Sequence, residues 1–93
     1  MITVTVQIGN SDDTLPQKDW AHYISAVRGA ITTRAFQVHF SGMSAGDATW
    51  QNAAFVFEIE RAPANQLAID LQTIRAGHMQ ESLAWTEGKT EFI

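Results

Sequence analysis

Ninety-three residues of 10.3 kDa, 45% hydrophobic and 17% charged, specify one folded domain with a single modest core and exclude disorder. Zero cysteines exclude a disulfide framework, thiolate metal sites and thiol catalysis. Six Lys and Arg against ten Asp and Glu leave a net charge of −4, the wrong sign for gripping phosphates, so nucleic acid is not expected as a partner.

Ile2, Val4, Val6 and Ile8 alternate with Thr3, Thr5 and Gln7, the period of a strand with one face buried. The run Gly9 to Asp13 consists of turn formers. Thr14 and Gln17 have capping-box spacing and Pro16 suits a first helical turn, which predicts a helix with Trp20, Tyr23, Ile24, Val27 and Ile31 on its buried side. A second alternation puts Phe36, Val38 and Phe40 on one side and Gln37, His39 and Ser41 on the other. Residues 42–50 lack apolar order and read as a loop. The third strand carries Phe55, Phe57 and Ile59 inward, with Ala54, Val56 and Glu58 outward. Pro63 opens a second helix with the stripe Leu67, Leu71 and Ile74, and Gly77 is placed to end it. Alternation returns from Gln80 with Leu83 and Trp85 inward, before Glu87-Gly88-Lys89 turns toward a short tail.

The order β-α-β-β-α-β predicts an α+β, ferredoxin-like domain spanning 1–93, with both helices on one face of a four-stranded antiparallel sheet. The alternation supports this, because strands covered on both faces would be apolar nearly throughout. The open face is then expected to carry Thr3, Thr5, Gln7, Gln37, His39, Ser41, Val56, Glu58, Ser82, Ala84 and Thr86, with no aromatic ring among them. An RNA-reading sheet needs such rings. Thr5, Gln37, His39 and Glu58 mark this face as a solvated surface or as a contact between subunits, since small side chains let a second sheet approach.

The loops after the first two strands and the connection into the fourth fall at one end of this topology. Asp12, Asp13, Met43, Asp47, Trp50 and His78 are expected to cluster there, with the aromatic-anchor and acidic-rim composition of a protein contact. The alternative is that Trp50 folds back to cap the core and the carboxylates merely solvate the loops.

Catalytic signatures are weak. Gly42-Met43-Ser44-Ala45-Gly46 fits G-x-S-x-G, with Asp70 and His78 following in hydrolase order, but the motif needs a strand-to-helix turn in a large parallel sheet. Gly88-Lys89-Thr90 imitates a phosphate-binding loop, yet Leu83 stands where its first glycine belongs. His22, His39 and His78 share no metal-ligand spacing, so no catalytic residue, metal or cofactor is expected. On the open face His39 is a candidate for proton transfer, because Glu58 or Gln37 could orient its ring. No apolar run reaches the roughly 18 residues of a membrane span, and Met1-Ile2-Thr3-Val4 lacks a signal peptide's basic start, so membrane contact is not expected and a cytoplasmic location is.

The segments Gln7-Ile8-Gly9-Asn10-Ser11-Asp12-Asp13, Gln37-Val38-His39-Phe40, Trp50-Gln51-Asn52-Ala53 and Ala84-Trp85-Thr86-Glu87-Gly88 resemble stretches of short uncharacterised proteins of actinobacteria and their phages. The resemblance brings no activity with it. It implies a phage-encoded protein that works in the host cytoplasm by clinging to a host defence or regulatory protein. Three readings follow: a non-enzymatic, self-associating module acting through protein contacts; a phage-encoded inhibitor of a bacterial defence complex; and a small dimeric enzyme or metabolite binder using His39 or His78.

Overall fold

A computed structural model describes residues 1–10, 15–45 and 50–93 of the chain. In chain order the elements are β1 (Ile2–Gly9), α1 (Gln17–Arg34), β2 (Gln37–Met43), β3 (Asn52–Ile59), α2 (Arg61–Gly77) and β4 (Ala84–Gly88). The sheet order is β2-β3-β1-β4 with every neighbouring pair antiparallel. Each strand-helix-strand half therefore spans one intervening strand, and the ferredoxin-like α+β topology expected from the element order is present.

Periodicity accounts for the core. Val4, Val6 and Ile8 of β1 stand beside Phe57, Phe55 and Ala53 of β3 in register, so alternate residues of the two central strands point to one side and are almost fully buried. Trp20, Tyr23, Ile24, Val27 and Ile31 of α1, with Ala64, Leu67 and Leu71 of α2, cover that side. Arg34 Nε lies 2.6 Å from Asp70 Oδ2 and ties the two helices on their outer surface. Removing a ring as buried as Phe57 costs about 3–5 kcal/mol by lost transfer energy and the cavity left behind.

Four local expectations are corrected. Gln17 is the first helical residue and not the third, behind Pro16 at the N-cap with no side-chain cap, and its amide oxygen accepts from Gln51 Nε2 at 2.9 Å; Thr14, the other half of the expected capping box, lies outside the described residues. Gly77 is the last helical residue of α2 and has no positive φ; the left-handed residue beyond the helix is Met79, at φ 58°. The fourth strand starts at Ala84, so Ser82 lies in the preceding loop and not on the open face. The fourth correction concerns β2 and reshapes the candidate site.

Candidate interaction surface

β2 is an edge strand, paired among the described residues with β3 alone. Its register is regular from Gln37 opposite Glu58 to Val38 opposite Phe57, and again from Phe40 opposite Val56 to Met43 opposite Ala53. His39 is the extra residue between, a β-bulge. One inserted residue moves every later side chain to the other face. Phe40 therefore leaves the side of Val38 and points, with Val56, to the open face; Ser41 goes to the helix side, against the sequence expectation for both. The open face carries an aromatic ring after all.

The ring is seated on a glycine. A Cβ built on Gly42 would stand 2.7 Å from Phe40 Cζ and 3.2 Å from Cε2, so the ring tip fills the space that a side chain would need. Beside it a groove of about 660 Å³ runs between the ends of β2 and β4, lined by Phe40, Gly42, Met43, Gln7, Asn52 and Ala84 among others.

The helix layer does not reach over β2. Val38 and Met43 share the helix side with the buried Phe57 and Ala53, yet they are 38% and 63% exposed. Phe36, held to β3 by its amide donating to the Glu58 carbonyl at 2.8 Å, is 69% exposed, and Phe40 is 55% exposed. Four large apolar side chains thus line one edge, and from Ala35 through Gly46 the chain has no Asp, Glu, Lys, Arg or Pro. Sequence reading placed Phe36, Val38 and Phe40 in the core. The missed signal is that lack of charged and Pro residues in a segment too short to be covered by the two helices.

Hydrogen bonds fix the loop end of this edge. Ser44 donates its amide to the Asn52 carbonyl at 2.8 Å, and the Asn52 amide donates to Ser44 Oγ at 3.0 Å, which clamps the two feet of the β2–β3 connection. Buried Asn10 accepts from the Leu15 amide at 3.1 Å and donates through Nδ2 to the Leu15 carbonyl and to Gln51 Oε1, both at 2.9 Å. One amide side chain thereby spans the β1–α1 connection and reaches the start of β3. Trp50, beside these clamps, is 55% exposed and does not fold back over the core.

Of the residues expected to cluster at this end, Met43 and Trp50 are present and exposed. Asp12, Asp13 and Asp47 lie outside the described residues. His78 belongs to the helix layer: its ring stacks on Tyr23 with centroids 5.0 Å apart, and Nδ1 lies 2.8 Å from the Ile74 carbonyl. On the open face, Thr5 lies opposite Val56 and Thr86, and Gln37 lies opposite Glu58. The bulge brings His39 Nε2 to 3.2 Å from Glu58 Oε1. Among the described residues no three His, Asp or Glu side chains are grouped to hold a metal ion, and no helix is long and apolar enough to cross a membrane.

Charges gather at the opposite edge. Arg61 donates two hydrogen bonds of 2.9 Å to Glu87, and the Trp85 indole adds a third at 3.1 Å. Together they hold the Glu87 carboxyl at about 2, well below its ordinary range.

A scan of protein-family models and a search of curated proteins find no match. Among solved structures, a dimeric ferredoxin-like protein of unknown function from Thermobifida fusca is similar, with a TM-score of 0.65 over 97% of this chain and 92% of that one, at 13% identity. The likeness is one of fold.

Proposed function

We propose that the chain is a small protein-binding module that acts by contact and not by catalysis, and that it associates with itself. The observation that carries this reading is the uncharged edge of β2, where Phe36, Val38, Phe40 and Met43 stand in water. Apolar side chains grouped in this way mark interaction surfaces more often than isolated ones do. The reading joins the two surfaces considered from sequence, since Phe40 lies on the open face and Met43 beside the loop end. That the similar Thermobifida fusca protein is described as dimeric supports self-association.

Sedimentation between about 1 μM and 1 mM tests it, the range over which weak dimers form. The wild type is expected to pass from monomer to dimer, and the double variant Phe36→Ser, Phe40→Ser to stay monomeric with an unchanged melting curve, because neither ring is in the core. A wild type that is monomeric throughout overturns the proposal. An inhibitor of a bacterial defence complex is the same contact chemistry turned on a host protein; the segment resemblance to actinobacterial and phage proteins supports it, and phage plating with and without the gene tests it.

A further inference from the structure

Self-association leaves open which groups meet, and the two edges of the sheet differ in a way that answers this. β4 is five residues long, carries Glu87 locked to Arg61, and is followed by Lys89. Short length and charge are the usual protection of an edge against pairing. β2 is seven residues long and has no Asp, Glu, Lys or Arg. Its one irregularity, the bulge, is confined to His39 and leaves Phe40 to Met43 regular.

In that regular half the direction of each backbone group is set. Ser44 bonds to Asn52 of β3, so by antiparallel alternation Gly42 and Phe40 also turn their amides and carbonyls toward β3. Ser41 and Met43 turn theirs outward, where no strand lies among the described residues.

Resting on the self-association proposed above, we infer that β2 pairs antiparallel with β2 of a second copy about Gly42, making one eight-stranded sheet. Ser41 of each copy exchanges two backbone hydrogen bonds with Met43 of the other, and Gly42 faces Gly42. The close approach of a non-hydrogen-bonded pair falls on two residues without Cβ. Both Phe40 rings, already folded over those glycines, meet on the open face, while the Met43 side chains cover the seam from the helix side.

A second copy suits this edge on two counts. The seam is free of Asp, Glu, Lys and Arg, so two chains of charge −4 meet where neither presents formal charge. Phe40 and Met43, 55% and 63% exposed, stand at the seam itself, so two copies that meet there cover each other's apolar side chains.

Amide exchange and two substitutions test it. In the wild type, the Ser41 and Met43 amides are expected to gain protection with rising protein concentration. Ser41→Pro removes one seam donor without removing a bond to β3, and is expected to weaken the dimer by about tenfold or more while leaving the circular dichroism of the dilute monomer unchanged. Met43→Lys is expected to do the same and guards against a Ser41→Pro chain that fails to fold. Thr86→Lys, on the open face of β4 beside Thr5 of the central β1, is expected to leave the dimer intact. A dimer that survives Ser41→Pro and Met43→Lys but is lost in Thr86→Lys joins face to face, which overturns edge pairing and keeps self-association. A wild type that never dimerises removes both.

Discussion

The tip of the Phe40 ring occupies the place of the side chain that Gly42 lacks, 2.7 Å from where its Cβ would be. The obstacle is the far end of a rotatable, half-exposed side chain, so Gly42→Ala swings the ring aside instead of straining the backbone. Alanine at this position is expected to change stability by less than about 1 kcal/mol, since the ordered strand is regained with a smaller entropy loss. The same variant is expected to weaken the dimer by about tenfold, because the displaced ring and the new methyl group both stand in the seam. Urea denaturation and sedimentation of one protein sample measure the two effects. A dissociation constant equal to that of the wild type would show that the ring's seat on the glycine has no part in association.

How much of this was legible beforehand depends on where a residue's neighbours come from. In β1, β3 and α1 the apolar period matches the geometry of the element, so the pairing of Val4, Val6 and Ile8 with the β3 aromatics and the stripe from Trp20 to Ile31 could be read directly. In β2 the letters Phe36, Val38 and Phe40 alternate just as well, but the ladder does not count them evenly, because His39 is skipped in the register with β3. A bulge has no fixed composition, and an alternation read through it assigns half a strand to the wrong face. Nor does alternation reveal that two helices are too few to cover four strands. Chain position alone puts His78 in the loop cluster, whereas its ring belongs to the helix layer through Tyr23.

The Arg61–Glu87 pair predicts a response to acid. Hydrogen bonds from Arg61, and after it from Trp85, hold the Glu87 carboxyl at about 2, against 4.5 for an unperturbed group. A carboxyl whose folded value lies below its unfolded one stabilises the native state above the unfolded value, and that contribution is lost as pH falls from about 4.5 through about 2. The Asp70 carboxyl is also held down, by Gln66 and then by Arg34, so its contribution fades with the same sign. Arg61→Ala is expected to melt below the wild type at pH 6, the gap narrowing as pH falls below about 4.5 and closing only below about 2. Because both partners are at the surface, the gap at pH 6 is expected to shrink in 1 M salt. Parallel melting curves at all pH values would remove the pair from the account of acid stability.

Tyr23 predicts an opposite kind of outcome, a deletion that does no harm. Its ring is fully buried between Trp20 and His78, and its hydroxyl finds no hydrogen-bond partner among the described residues. Burial pushes the phenol's pKa up. Tyr23→Phe keeps both ring contacts and removes a polar group that left water for nothing in return. The variant is expected to be as stable as the wild type or more stable by roughly 1 kcal/mol in urea denaturation. A loss of that size would mean that a buried water satisfies the hydroxyl.

The end of α2 separates what the letters suggest from what the backbone does. Gly77 looks like the residue that stops the helix, yet it is helical, and a Cβ added there meets nothing within 4 Å. The stop is made two residues later. Met79 donates its amide to the Ala76 carbonyl and Gln80 donates to the Arg75 carbonyl, both at 3.1 Å, a complete Schellman motif whose left-handed position is held by a methionine. Arg75 reinforces it by donating through Nη1 to the carbonyls of Gln80 and Glu81 at 2.6 and 3.1 Å. A side chain at φ 58° costs on the order of 1 kcal/mol that glycine avoids, and a glycine inside a helix costs about 1 kcal/mol relative to alanine. Gly77→Ala and Met79→Gly are therefore each expected to raise stability by about 0.5–1 kcal/mol. If Gly77 were the left-handed terminator, Gly77→Ala would instead destabilise, so the sign of that single change in a urea titration decides which residue ends the helix.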